Sequence, residues 1–234
     1  MRLLVSVANV ADAAAALAGG ADLIDAKDPT SGSLTAVAPD AFDAIVAAVA
    51  GARPVTAALG NAADEDAVER AARGFGQAGA RFVKIGFAGI ASGERVGALA
   101  KAAVRGARTG GSNSGVVAVA CADAARAVGL APFALVAEAA RADADGLLLD
   151  TADKSGPGLR GLMEPAALAA FVSSVREAGL FVALAGRLTV GDLPFVRDAG
   201  ADIAGVRGAA CDGGRGGHVS AERVRQLQQS FRRT

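Results

Sequence analysis

One local pattern recurs four times along this chain and restricts the folds that it can adopt. Each copy joins a helix end rich in small residues to a short apolar strand with a polar or charged residue near its end; the copies are AGGADLIDAK, AGARFVKIGF, ADADGLLLDTADK and AGADIAGVRG. Their starts lie about 60 residues apart, which is the length of two βα units. The repeat therefore predicts the second, fourth, sixth and eighth strands of an eightfold βα array.

Further short β-type runs alternate with longer Ala-rich stretches of helical period along the rest of the chain. The predicted strands cover residues 3–7, 23–26, 55–59, 82–86, 116–120, 147–150, 181–185 and 203–206. The predicted helices lie near residues 10–17, 39–49, 65–77, 93–105, 132–141, 164–177, 190–198 and 221–231. Eight βα units predict an α/β protein of one domain, a (βα)8 TIM barrel over residues 1–234. An open doubly wound sheet fits the same count, but the repeat favours closure.

The composition excludes several other classes of protein. Lys and Arg number 24 and Asp and Glu number 24, so no net field favours nucleic acid or an anionic membrane as a partner. The apolar stretches are short, and the first of them meets Asp12 too early for a signal peptide. Two cysteines, Cys121 and Cys211, are too few for a disulfide framework, and the single histidine gives little support to a Ser-His-Asp triad or a metal site. We therefore expect a cytoplasmic protein.

The four lysines stand out in a chain that has twenty arginines. Arginine stays protonated, whereas a lysine removed from water can lose its proton and act as a nucleophile or a base. Lys27, Lys84 and Lys154 fall at the C-terminal ends of predicted strands, where (βα)8 barrels carry their active sites. Lys101 lies on a predicted outer helix and is expected to be an ordinary solvated charge.

Two aspartates share the same predicted rim. Asp25 stands two residues before Lys27, so both side chains are expected on one side of the strand, and Asp150 ends the sixth strand. Burial and neighbouring ammonium groups lower the pKa of a lysine, and its neutral amine can then form a Schiff base with a carbonyl compound. Nearby carboxylates can shuttle the protons. The alternative is that these lysines and aspartates form structural ion pairs.

Glycine-rich loops after the last two predicted strands indicate a phosphate site. Residues 185–187 (AGR) and 205–217 (GVRGAACDGGRGG) follow the seventh and eighth strands, where barrels often bind phosphate through backbone N–H groups. The polar loop at residues 27–33 (KDPTSGS) is a second candidate, and plain turn chemistry is the alternative for both. The predicted phosphate-binding residues are Gly186, Arg207, Gly208, Gly213, Gly214 and Ser31, with Arg187 and Arg215 as further sources of positive charge.

Five segments together resemble one known family. They are GGADLIDAKDPTSGSL, VKIG around Lys84, LLLDTADK, ALAG and DIAGVRGAAC, and the match runs in one order from Leu3 to the last helix. The family is that of the (5-formylfuran-3-yl)methyl phosphate synthases, also called 4-(hydroxymethyl)-2-furancarboxaldehyde-phosphate synthases. Two positions depart from its pattern: Thr35 replaces an expected glycine, and Cys121 replaces an expected aromatic residue before Asp123.

The resemblance implies a (βα)8 barrel that condenses two molecules of glyceraldehyde 3-phosphate. The product would be a phosphorylated furan aldehyde, the precursor of a methanofuran- or methylofuran-type one-carbon carrier. Carried over by motif, Lys27 would form the Schiff base and Lys84 would accept the proton. Asp25, Asp150 and Lys154 match positions that line the same pocket. No cofactor or metal is expected, because the lysine itself supplies the electron sink.

Two other functions remain open on the sequence alone. Another Schiff-base aldolase would act on a related sugar phosphate and release a product that is not aromatic. A non-catalytic barrel that binds phosphorylated metabolites would use the lysines only as anion ligands.

The apolar residues within 128–136, on an outer helix, indicate a homo-oligomer without fixing the number of subunits.

Overall fold

Eight parallel strands pair in chain order and close into one barrel, because β8 pairs with β1. The computed structural model describes residues 1–30, 32, 34–109 and 113–232. The barrel strands are β1 (Arg2–Val7), β2 (Leu23–Ala26), β3 (Val55–Asn61), β4 (Phe82–Gly86), β5 (Gly115–Cys121), β6 (Gly146–Asp150), β7 (Phe181–Leu184) and β8 (Ile203–Val206). All eight predicted strands are confirmed, and so is the (βα)8 barrel.

Helices cover the outside of the barrel. They are α1 (Val10–Gly19), α2 (Pro39–Val49), α3 (Glu65–Gln77), α4 (Gly93–Ala107), α5 (Ala124–Ala127), α6 (Pro132–Arg141), α7 (Leu159–Leu162), α8 (Pro165–Glu177), α9 (Leu193–Asp198) and α10 (Ala221–Arg232). Capping side chains fix where several helices begin. Asn9 and Asp64 accept hydrogen bonds from backbone N–H groups in the first turns of α1 and α3. Pro39, Pro132 and Pro165 occupy first helical positions, where no N–H donor is needed.

The N-terminal half of the barrel interior is apolar. Phe82 and Phe181, at the starts of β4 and β7, pack edge to face with their ring centroids 5.1 Å apart. Gly115 and Gly146 leave room for these rings, because a Cβ atom at either position would lie within 2.6 Å of a ring carbon. The interior is therefore closed at this end by aromatic packing, and polar groups collect at the C-terminal end of the strands.

The structure corrects one predicted helix and adds several short elements that the sequence did not predict. The single helix predicted at residues 190–198 is a 3-10 turn at Val190–Asp192 followed by α9. Pro194 explains the break, because it has no N–H group to donate to the carbonyl of Val190. The sequence also missed the short helices α5 and α7, a 3-10 turn at Gly208–Ala210, and a hairpin of β9 (Cys211–Asp212) and β10 (His218–Val219).

Two surface expectations can be compared with the structure. Lys101 is exposed on α4, as predicted for a solvated charge. Val128 and Phe133, beside and within α6, are 66% and 51% exposed. The homo-oligomer expected from this apolar segment stays a prediction.

Within the described residues, no helix has both the length and the apolar character needed to cross a bilayer.

Candidate active site

A cavity of about 600 Å³ opens at the C-terminal ends of the strands. The three lysines and two aspartates singled out from the sequence all line it: Asp25, Lys27, Lys84, Asp150 and Lys154. They come from β2, β4, β6 and the loops that follow β2 and β6, so the alternate strands of the repeat supply them. The structure therefore brings together the predicted catalytic set, and the roles of its members stay predictions.

Asp25 and Lys84 form a buried ion pair across the barrel interior. The Lys84 Nζ atom lies 2.5 Å from the Asp25 Oδ1 atom, and both side chains are almost fully buried. Thr56 and Ser6 donate their hydroxyl groups to the two oxygens of Asp25, at 2.7 and 2.9 Å. Burial raises the pKa of Asp25, but the charges of Lys84 and Lys27 outweigh it and hold that pKa below its usual value. Asp25 is therefore an anion fixed by three donors.

Asp150 and Lys154 form a second pair at the rim. The Lys154 Nζ atom donates to Asp150 Oδ1 at 2.7 Å and to the Thr151 hydroxyl oxygen at 3.1 Å. Burial raises the pKa of Asp150, but the charges of Lys154 and Lys27 lower it further than burial raises it. Asp150 is therefore ionised as well, and Lys154 is directed into the cavity.

The amine of Lys27 has a strongly lowered pKa. Burial, together with the charges of Lys84 and Lys154, lowers its pKa to about 8 against the opposing effect of Asp150 and Asp25. An amine with this pKa is neutral in about a tenth of the molecules at pH 7, far more than for an ordinary lysine. Because the neutral amine is the nucleophile, Lys27 is suited to attack a carbonyl carbon.

Arg207, predicted to bind phosphate, lines the cavity but is engaged by the protein itself. Its Nη1 atom donates to Asp12 Oδ2 at 2.7 Å and to the Ser6 carbonyl oxygen at 3.0 Å. Its Nε and Nη2 atoms donate to the carbonyl oxygens of Arg215 and Gly217, at 3.2 and 2.9 Å. Four of its five N–H groups are thus occupied, and its charge is compensated by Asp12.

Arg187 and Arg215 also line the cavity, and their surroundings differ from that of Arg207. The Arg215 Nη2 atom donates to the Gly32 carbonyl oxygen at 2.6 Å. The Arg187 Nη1 atom donates to the carbonyl oxygen of Gly156. Among the described residues, neither guanidinium has a carboxylate partner. These two arginines therefore bring positive charge to the cavity wall without a direct salt bridge, although the charge of Asp150 acts on Arg215.

The predicted phosphate-binding glycines divide into two groups. Gly186 and Gly208 line the cavity. Gly213 and Gly214 do not line it; they lie in the turn between β9 and β10, where their φ angles of 79° and 76° suit glycine. Ser31 lies outside the described residues.

Several residues that build the site were missed in the sequence. Ser6 and Thr56 hold Asp25, and Asp123 accepts hydrogen bonds from the backbone N–H groups of Ala152 and Asp153 at 2.7 and 2.8 Å. A usable signal existed for Ser6 and Thr56, because each is the one hydroxyl residue of its strand and has apolar residues on both sides. No comparable signal marked Asp12, because its partner Arg207 lies 195 positions away in the chain.

The two departures from the family pattern have separate local settings. Thr35 forms an antiparallel bridge with Asp28, whose N–H group donates to the Thr35 carbonyl oxygen at 2.9 Å. Cys121 packs at the end of β5, beside the small pocket of Phe87, Ala124 and Leu130. Burial and the charges of Asp150 and Asp123 raise the pKa of the Cys121 thiol to about 11. A thiol with this pKa is protonated at neutral pH.

Fold and site together define a (βα)8-barrel protein whose C-terminal end carries lysines paired with ionised aspartates. A family model described as 4-HFC-P synthase matches residues 3–228. The chain belongs to this family, as its resemblance implied. The (5-formylfuran-3-yl)methyl phosphate synthase of Methanopyrus kandleri is 39% identical over 233 residues, which cover 98% of each chain. That of Methanocaldococcus jannaschii is 37% identical over 232 residues, 98% of this chain and 99% of the relative.

Solved structures share the architecture at low sequence identity. The 3-hexulose-6-phosphate synthase of Salmonella typhimurium matches with a TM-score of 0.68 and 18% identity, over 99% of this chain and 98% of that one. The phosphoribosyl anthranilate isomerase of Thermus thermophilus matches with a TM-score of 0.65 and 19% identity, over 99% of this chain and 98% of that one. Identities this low confirm the fold alone.

Proposed function

We propose that this protein is a (5-formylfuran-3-yl)methyl phosphate synthase that uses Lys27 as a Schiff-base nucleophile. The substrate would be glyceraldehyde 3-phosphate, and two molecules would give one phosphorylated furan aldehyde for a methanofuran-type carrier. The observation that carries the proposal is the lowered pKa of Lys27, about 8, in a cavity that also holds the pairs of Lys84 with Asp25 and Lys154 with Asp150. Membership in the 4-HFC-P synthase family supports it.

The first chemical step falls to Lys27. Its neutral amine adds to the aldehyde carbon of one triose phosphate, and loss of water gives an iminium ion. Lys84 supplies the proton with which that water leaves, and its neutral amine then takes a carbon-bound proton to give the enamine. The enamine forms the carbon–carbon bond to the second triose phosphate. Overall, the two trioses lose one phosphate and two molecules of water, and the imine returns its amine on hydrolysis. The departure of phosphate makes the enzyme a carbon–oxygen lyase, and the aromatic ring favours the final steps.

The remaining cavity residues assist through charge. Asp25 holds Lys84 in place, and Asp150 relays protons near the rim. Lys154 stabilises oxyanion or phosphate charge in the cavity. The backbone at Gly186 and Gly208 approaches a phosphate group, and Arg207 holds the second of these loops. The reaction needs no metal or organic cofactor, and we place the enzyme in the cytoplasm, where its triose substrate is made.

Covalent trapping tests the proposal. The protein is incubated with glyceraldehyde 3-phosphate, reduced with borohydride and digested, and the adduct is located by peptide mass spectrometry. We expect the adduct on Lys27 and loss of turnover in Lys27→Arg, with wild-type behaviour in the control Lys101→Arg, since Lys101 is exposed on α4. An adduct on Lys84 or Lys154 would keep the chemistry and overturn the role of Lys27.

The reaction product distinguishes the proposed synthase from the two alternative functions. Ultraviolet absorbance of a furan aldehyde after incubation with glyceraldehyde 3-phosphate supports the synthase, whereas an adduct without an aromatic product indicates another Schiff-base aldolase. Binding without an adduct, together with tolerance of Lys27→Arg, indicates a barrel that only binds phosphorylated metabolites.

A further inference from the structure

We propose that the cavity holds the two triose phosphates at separate arginine subsites. Arg215 binds the phosphate of the triose that forms the imine with Lys27, and Arg187 binds the phosphate of the second triose, beside Lys154. This inference rests on the proposed function, which requires two phosphorylated substrates in one cavity. It assigns a separate anion ligand to each of them.

The arginines that line the cavity differ in whether a carboxylate neutralises them. Of the arginines that line the cavity, Arg207 is paired with Asp12 at 2.7 Å and Arg223 with Asp212 at 2.6 Å. Among the residues that the structure describes, Arg187 and Arg215 form no salt bridge with a carboxylate, and Asp150 acts on Arg215 only through its charge. A guanidinium at a partly enclosed cavity without a counter-ion favours an anion from solution, and its planar N–H groups match two phosphate oxygens.

The side chains of Arg187 and Arg215 extend towards different loops of the barrel. Arg187 follows β7 and contacts Gly156 in the loop after β6, two residues beyond Lys154. Arg215 lies in the β9–β10 turn after β8 and contacts Gly32 in the loop after β2, which begins at Lys27. Since the strands follow one another around the barrel, Arg187 extends back towards β6 and Arg215 extends past β1 towards β2. Arg187 therefore contacts the loop that carries Lys154, and Arg215 contacts the loop that begins at Lys27.

The backbone positions of Arg187 and Arg215 are fixed, whereas their guanidinium groups can exchange a hydrogen bond to the protein for one to a ligand. Arg207 donates to the carbonyl oxygen of Arg215, which ties that residue to the buried pair with Asp12. Arg187 has a φ angle of 55°, which side-chain-bearing residues rarely adopt, and it follows Gly186 with a φ angle of 106°. Each guanidinium donates to one neutral carbonyl oxygen, and a phosphate dianion is a stronger acceptor that can replace it.

The test compares Arg215→Gln and Arg187→Gln in two readouts: borohydride labelling of Lys27 at increasing glyceraldehyde 3-phosphate, and steady-state turnover. We expect Arg215→Gln to raise the triose concentration for half-maximal labelling about tenfold or more, as expected for loss of a charge-assisted contact. Arg187→Gln leaves the labelling curve unchanged and raises the KM for turnover about tenfold. Arg225→Gln, on the outer face of α10 and paired with Glu222, is the control and changes neither readout.

The outcomes are decisive in both directions. Equal shifts of the labelling curve in both variants, or a shift in neither, would overturn the two-subsite assignment. Binding of inorganic phosphate, measured by equilibrium dialysis, gives a readout that needs no imine. The wild-type protein should bind two phosphates and each variant one. Absence of an adduct on Lys27 in the wild type refutes the proposed function, and the phosphate count then still decides the subsites: one phosphate per wild-type chain would overturn them.

Discussion

The Lys84 Nζ atom lies 2.5 Å from the Asp25 Oδ1 atom, inside the barrel and shielded from bulk water. The hydroxyl groups of Ser6 and Thr56 also donate to Asp25, so its carboxylate accepts from three neighbours. A carboxylate held in this way is a poor general base, because protonation would cost it these charge-assisted contacts. In the proposed mechanism Asp25 therefore holds Lys84 in position, whereas proton relay is assigned to Asp150, which lies at the rim beside Lys154.

Replacing Asp25 tests this division of roles. We expect Asp25→Asn to lower kcat/KM by about a hundredfold or more, because Lys84 loses the anion that positions it. The same change should lower the free energy of unfolding by about 3–5 kcal/mol, since a buried ammonium group would lose its partner. Steady-state kinetics and denaturant titration give the two values. Asp43→Asn, on the exposed face of α2, is the control. Wild-type activity in Asp25→Asn would contradict the role given to the pair.

The pH dependence of activity should report the pKa of Lys27. The amine is protonated below that pKa, about 8, and neutral above it, and only the neutral form attacks the aldehyde. We expect kcat/KM to rise about tenfold between roughly pH 7 and pH 9 and then to level off. The measurement is kcat/KM for glyceraldehyde 3-phosphate across this range. A profile that is flat or falls with pH would be inconsistent with a Lys27 nucleophile of this pKa.

Asp123 is a positioning residue for Lys154. Its carboxylate accepts from the N–H groups of Ala152 and Asp153, the two residues that precede Lys154. We expect Asp123→Asn to lower kcat about tenfold, because both charge-assisted hydrogen bonds weaken and the loop no longer fixes Lys154 beside Asp150. Borohydride labelling of Lys27 by the triose should stay as in the wild type. A loss of labelling that parallels the loss of kcat would show a general structural defect instead.

Two glycines in neighbouring helices give a matched test of helix packing. A Cβ atom at Gly106 in α4 would lie 2.2 Å from the carbonyl oxygen of Glu69 in α3, whereas the space around Gly74 is open. We expect Gly106→Ala to lower the free energy of unfolding by about 1–3 kcal/mol, because the two helices must separate. Gly74→Ala should raise it by about 0.5–1 kcal/mol through helix propensity alone. The measurement is the denaturant midpoint of unfolding of each variant. If both substitutions stabilise the protein, the close packing of α3 and α4 at Gly106 is refuted.

The sequence by itself determined the barrel and the principal cavity residues. Strands and most helices follow from periodicity, because the alternation of buried and exposed positions is a local property of the chain. Lys27, Lys84 and Lys154 could be placed at the rim because strand ends of a parallel barrel meet at one face. Where a local rule was overlooked, as at Pro194, a predicted helix was drawn too long.

Only the tertiary structure decided which partners these residues have. Arg207 looked like a phosphate ligand from its glycine-rich surroundings, yet Asp12, 195 positions away, neutralises it. Arg187 and Arg215 looked equivalent to it, yet among the described residues each donates only to a backbone carbonyl oxygen and forms no salt bridge. The physical reason is that side-chain charges pair across space after the backbone has closed. No pattern of neighbouring residues carries that information.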